Sequence, residues 1–105
     1  MSRRSAQRRA MLQPEFEDAA YRDFIRVLDF LGNLNPLAGA DLGDTLTREI
    51  EFLCKNPGIG RPYPAGESVR EWIVGFRSTA YIIRYAVRGD VLIVLRIWSG
   101  REDRP

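Results

Sequence analysis

The chain has 105 residues, 45% hydrophobic and 29% charged, with sixteen basic against fourteen acidic side chains. That is the size of one domain with a modest core, and no apolar run approaches the roughly 20 residues that span a bilayer. Histidine is absent, which removes the commonest general acid–base and metal ligand, and a lone Cys54 excludes an internal disulfide.

Charge is unevenly spread. Residues 1–13 carry four arginines and no acid, residues 14–56 sum to −5, and residues 57–105 sum to +3. Lys55 is the only lysine, so nearly every cation is an arginine, the side chain that grips carboxylate or phosphate bidentately. A coding bias toward arginine accounts for the same excess without any function.

In chain order, Met1–Ala10 reads as a polar arm, flexible over residues 1–7, with a short strand expected around Arg8–Leu12. The arm is basic but no apolar run follows it, so it is not a secretory signal, and a cytoplasmic protein is the simplest expectation. Pro14, with Glu15, Glu17 and Asp18 behind it, predicts the start of a helix. Phe16, Ala20, Phe24, Val27, Leu28 and Leu31 give that helix one apolar face, and Gly32-Asn33 ends it. Asn35-Pro36 predicts a second helix with the stripe Leu42, Leu46, Ile50 and Leu53, stopped by Asn56-Pro57-Gly58. Gly58–Gly66 reads as a loop. Val69–Phe76, Tyr81–Val87 and Val91–Trp98 then predict an antiparallel meander, the last two strands split only by Arg88-Gly89-Asp90. Strict alternation puts Val91, Ile93, Leu95 and Ile97 on one face of the last strand. Leu92, Val94, Arg96 and Trp98 fall on the other, where Arg96 and Trp98 are expected to line a concave surface. The fold class is α+β, one domain over residues 1–105, with a helical hairpin packed on a twisted antiparallel sheet.

This order resembles the RelE/ParE superfamily of toxins from bacterial toxin–antitoxin modules. The carriers are Asn56-Pro57-Gly58-Ile59-Gly60-Arg61, Val69-Arg70-Glu71-Trp72, Phe76-Arg77-Ser78, Tyr81-Ile82-Ile83-Arg84-Tyr85, Leu95-Arg96-Ile97 and Gly100-Arg101-Glu102-Asp103. The resemblance implies the toxin of a type II, plasmid-stabilising system, neutralised by a cognate antitoxin in a hetero-oligomer, with no membrane role and no metal or organic cofactor. The superfamily holds two activities. ParE-like members poison DNA gyrase by binding it, and RelE-like members cut messenger RNA on the ribosome.

The chain departs from the ribonuclease pattern. Trp72-Ile73-Val74-Gly75 stands where RelE-like strands carry lysines, Ile82 stands where an arginine follows the strand tyrosine, and Ser99 stands at the histidine position. A gyrase-binding toxin is therefore the first expectation, with Arg61, Arg77, Arg84, Arg96, Trp98 and Arg101 as residues that bind target or antitoxin. The alternative is an endoribonuclease, for which Glu71 is the evident base, Tyr81 the weak acid, and Arg84, Arg96 and Arg101 the electrostatic stabilisers. Plain structural roles compete throughout: a cross-strand ion pair for Glu71, core packing for Tyr81 and Tyr85, a bridge to a helix acid for Arg96, sheet packing for Trp98, and turn bonding for Arg77.

Overall fold

The computed structural model describes residues 11–63 and 68–102. The elements run β1 (Gln13–Phe16), α1 (Asp18–Leu34), α2 (Pro36–Lys55), β2 (Arg61–Pro62), β3 (Val69–Phe76), β4 (Thr79–Arg88) and β5 (Val91–Ser99). They form one five-stranded sheet in the order β1-β5-β4-β3-β2, with the helical hairpin on one face. The expected meander β3-β4-β5 is present, but the sheet is mixed, because β1 runs parallel to β5.

β1 corrects the reading of the N-terminal segment. The first strand is Gln13–Phe16, later than the expected Arg8–Leu12, and Pro14 lies inside it instead of opening a helix. The parallel ladder uses alternate N–H groups: Gln13 N–H donates to the Asp90 C=O and Glu17 N–H to the Val94 C=O, both at 3.0 Å. Pro14 falls on the other parity, at the outer edge, where a missing N–H breaks no bond. The helix starts only at Asp18, after Glu17 in extended conformation. The expected arm and residues 8–10 lie outside the described residues.

A single residue joins the helices. Asn35 N–H donates to the Leu31 C=O at 2.8 Å, closing α1, two residues beyond the expected end. Its side-chain oxygen accepts from Leu37 N–H and Ala38 N–H at 3.1 and 3.2 Å, opening α2 with Pro36 at its first position. So abrupt a reversal brings the two backbones together. A Cβ on Gly39 would lie 2.7 Å from the Gly32 Cα. α2 ends at Asn56 as the Asn-Pro-Gly break predicts, with the Asn56 side chain donating to the Phe52 C=O at 3.0 Å.

The core lies between helices and sheet. Leu42, Leu46, Ile50 and Leu53 of α2 and Ala20 and Val27 of α1 pack on Val74, Tyr81, Ile83, Tyr85, Leu92, Val94 and Ile97. Leu92, Val94 and Ile97 share this face because of a bulge. Arg84 pairs with Arg96 but Tyr85 pairs with Val94, leaving Leu95 as an extra residue. The bulge overturns the strict alternation expected for β5. Trp98 lies on the face opposite to Leu92 and Val94 and is buried instead of lining an open concavity, and Arg96, on the same strand face, reaches round the sheet edge to Asp23 of α1. The expected Gly58–Gly66 loop also contains β2, paired with β3 at Arg61–Glu71 and Pro62–Arg70.

Candidate functional site

The six arginines and aromatics singled out by sequence do not converge on one centre. They divide into side chains locked inside the protein and side chains held out from it.

Arg84 and Glu71 are cross-strand neighbours on the face away from the helices. Arg84 Nε donates to Glu71 Oε2 at 3.0 Å, and Nη2 stands 2.9 Å from the same oxygen without a well-directed hydrogen bond. The carboxylate side chain is 5% exposed and the guanidinium side chain 12%. Tyr63 and Trp98 close over the cation, their ring centres 4.1 and 4.8 Å from Arg84 Cζ. Arg84 is thus stacked, paired and nearly dry. Glu71 and Arg84 are held to each other, with the cation between two rings.

Arg96 is also engaged. Its Nε and Nη2 donate to Oδ2 and Oδ1 of Asp23 on α1 at 2.7 and 3.2 Å. This is the bridge to a helix acid that sequence put forward. Asp23 does more: Oδ2 accepts the Ile97 N–H at 2.9 Å, and Arg26, one turn on, donates to the Ile97 C=O at 3.3 Å. β1 stops opposite Val94, so α1 supplies side-chain partners to the part of the β5 edge that β1 leaves uncovered. Burial alone would raise the Asp23 carboxyl, but the Arg96 fork, the Ile97 N–H and the charge of Arg26 outweigh it and hold the group below the usual aspartate range. Asp23 raises the Arg96 guanidinium in turn.

Both strand tyrosines, Tyr81 and Tyr85, are buried. Tyr85 is fully buried, and its hydroxyl accepts from Gly60 N–H at 3.0 Å and donates to the Pro57 C=O at 2.7 Å, fastening the Asn56–Gly60 turn to the sheet. Tyr81 is buried as well, and burial, with Glu102 nearby, pushes its phenol above the ordinary range despite Arg101. A phenol shifted upward is a weaker acid near neutrality. Arg70 reaches the Gly60 C=O at 2.8 Å, and Cys54 is buried with its thiol pushed up by desolvation.

Arg61, Arg77 and Arg101 are the exposed set. Arg61 stands on β2 beside Glu71. Arg77 occupies the β3–β4 turn with φ 55°, a left-handed conformation that favours glycine, and lies 3.5 Å from Asp41. Arg77 and Arg101 border a cavity of about 520 Å³ between α1 and the β3–β4 turn, whose apolar lining includes Phe30, Leu34, Phe76 and Tyr81. Arg26 and Glu102, 3.0 Å apart, complete its rim. Phe30 and Leu34 are about 70% exposed, an unusual state for such side chains on a small domain.

Asp23, Arg26 and Tyr63 were not among the sequence candidates. Asp23 had a signal: it falls on the stripe of Ala20 and Val27, where an acid needs a buried partner. Tyr63 had none, since its place over Arg84 depends on the path of the chain through β2.

The arrangement suits macromolecular binding, with an apolar cleft and cations at its rim. Comparison with known proteins agrees on family. Residues 15–104 match the model of the ParE toxin of type II toxin–antitoxin systems, parDE. The chain is 39% identical over 85 residues to Toxin RelE1 of Caulobacter vibrioides, covering 81% of this chain and 89% of that protein. Among solved structures, the chromosomal ParDE toxin–antitoxin system from P. aeruginosa superposes with a TM-score of 0.67 at 21% identity, over 84% of this chain and 95% of that one, and so shares the fold.

Proposed function

As this chain belongs to the ParE toxin family, within the RelE/ParE superfamily, and is the toxin of a type II toxin–antitoxin module, we propose that it acts by binding DNA gyrase in the cytoplasm and trapping the enzyme on cut DNA, and that a cognate antitoxin neutralises it. The observation that carries this reading is the engagement of the groups a ribonuclease would need: Arg84 on Glu71, Arg96 on Asp23, and a buried Tyr81. What remains at the surface is a binding apparatus of Arg77, Arg101, Phe30 and Leu34.

Messenger RNA cleavage on the ribosome is the second reading, and the name of the Caulobacter relative, a RelE toxin, favours it. Inducible expression in bacteria separates the two within minutes. Loss of labelled thymidine incorporation with an SOS response and continuing translation supports gyrase. Prompt loss of methionine incorporation with cleaved messages supports the ribonuclease and overturns the first reading.

A further inference from the structure

The β5 edge runs on past β1, which stops opposite Val94. From there three charged side chains hold its outward main-chain groups. Asp23 accepts the Ile97 N–H, Arg26 donates to the Ile97 C=O, and Glu102 Oε2 accepts the Ser99 N–H at 2.8 Å. The three also form one chain of charge, Asp23 to Arg26 at 3.3 Å and Arg26 to Glu102 Oε1 at 3.0 Å. Their attachments differ in strength. Asp23 is buried and forked to Arg96, whereas the Arg26 and Glu102 side chains are 43% and 38% exposed at the rim of the cleft. An ion pair that exposed is weak and is screened by salt.

Glu102 belongs to a short turn that forms one wall of the cleft, since Ser99, Arg101 and Glu102 all line it. The turn is tied to β4 by Gly100 N–H on the Ala80 C=O at 2.7 Å. Glu102 N–H to the Ser99 C=O and Arg101 N–H to Ser99 Oγ are bonds within the turn itself. Its tie to α1 is the Glu102 carboxylate on Arg26.

We propose that the Ser99–Glu102 turn is a strap latched against the cleft by Glu102, and that Glu102 fills a carboxylate site, made by Arg26 and the Ser99 N–H, which an acid on a docking protein takes over. The occupant is a protein segment with an acidic side chain beside a large apolar one. The acid replaces Glu102 on Arg26, and the apolar group meets Phe30, Leu34 and Phe76. Arg101 stands next to this site and has no acid partner among the described residues, so a second anionic contact is available. A cationic segment would meet Arg26 and Arg101 with the wrong sign. The strap works in the same way whichever target the protein binds.

Two variants separate the contacts of Glu102. A carboxylate offers one oxygen to Arg26 and the other to Ser99, whereas the amide of Glu102→Gln has a single acceptor oxygen for the two. Glu102→Ala removes both. The side chain is exposed, and melting of each free variant checks the fold. Amide exchange at Ser99 is expected to be at least tenfold faster in Glu102→Ala, with Ile97, held by Asp23, unchanged. Two fluorescent probes then read the cleft: Nile red, which is apolar and uncharged, and dansylaminoundecanoate, an apolar chain ending in a carboxylate. Both are expected to bind Glu102→Ala at least threefold tighter than wild type, with Glu102→Gln between the two. Adding Arg26→Gln is expected to cancel the gain for the carboxylate probe and to leave it for Nile red. Equal probe affinities in wild type and Glu102→Ala overturn the strap. A gain for Nile red alone overturns the carboxylate site. Unchanged exchange at Ser99 in Glu102→Ala overturns the latch itself.

Discussion

The Asp23 carboxylate accepts the Ile97 N–H at 2.9 Å, so a helix side chain takes the place of a strand partner 74 positions along the chain. The same group anchors Arg96. Asp23→Ala strands a buried N–H and a half-buried guanidinium together, and is expected to lower stability by about 2–4 kcal/mol in urea unfolding.

The contribution of Asp23 depends on pH in a definite direction. Its carboxyl titrates lower in the fold than in the unfolded chain. Its stabilisation is therefore complete above the ordinary aspartate value of about 3.9 and is lost as pH falls below that toward the folded value. Wild type and Asp23→Asn are expected to differ most at pH 6 to 7, with melting temperatures converging as pH falls through the lowered folded value.

Arg84→Ala leaves the Glu71 charge buried without its partner, an expected cost of about 3–5 kcal/mol. Any loss of toxicity in that variant reports unfolding. The informative variant is the double replacement Glu71→Leu with Arg84→Met, which removes both charges and is expected to keep stability within about 2 kcal/mol of wild type. Growth arrest by this folded double variant supports binding as the mode of action; a folded but harmless one returns the pair to chemistry.

Arg77→Ala and Arg101→Ala alter exposed side chains at the cleft rim. Thermal unfolding is expected to stay within about 0.5 kcal/mol of wild type. Growth arrest on induction is expected to need at least about tenfold more protein, the loss of one charge-assisted contact. Full potency in both variants removes this cleft from the toxic surface.

Gly39→Ala should destabilise although alanine is the better helix former. The added carbon meets backbone at Gly32 and Leu28, which cannot rotate away as a side chain can. The propensity gain of about 1 kcal/mol is set against overpacking of about 1–3 kcal/mol. Chemical denaturation is expected to show a lower midpoint.

Much of this was legible in the chain itself. The Asn-Pro pairs at positions 35–36 and 56–57 mark helix boundaries because proline's fixed φ and missing N–H act locally. The three C-terminal strands follow from β-branched runs and short breaks, equally local signals. Pro14 misled for the same reason: its local preference for opening a helix was overruled by pairing with β5, nearly eighty residues away. The Leu95 bulge left no trace, since Val91–Leu95 is apolar on both faces and an alternation with no polar member cannot show a slip. For the site, the bridge from Arg96 to a helix acid was readable as a cation without a local partner. The stacking of Tyr63 and Trp98 on Arg84 was not, because it needs three separate segments placed at once.

Asn35 and Asn56, the residues that delimit α2, are each followed by proline. Asparagine ages by attack of the next residue's main-chain nitrogen on its side-chain carbonyl, and a proline nitrogen has no hydrogen to give up in that ring closure. Both caps are therefore closed to this ring-forming route of deamidation. Asn33, followed by Leu34 in the last turn of α1, has no such shield.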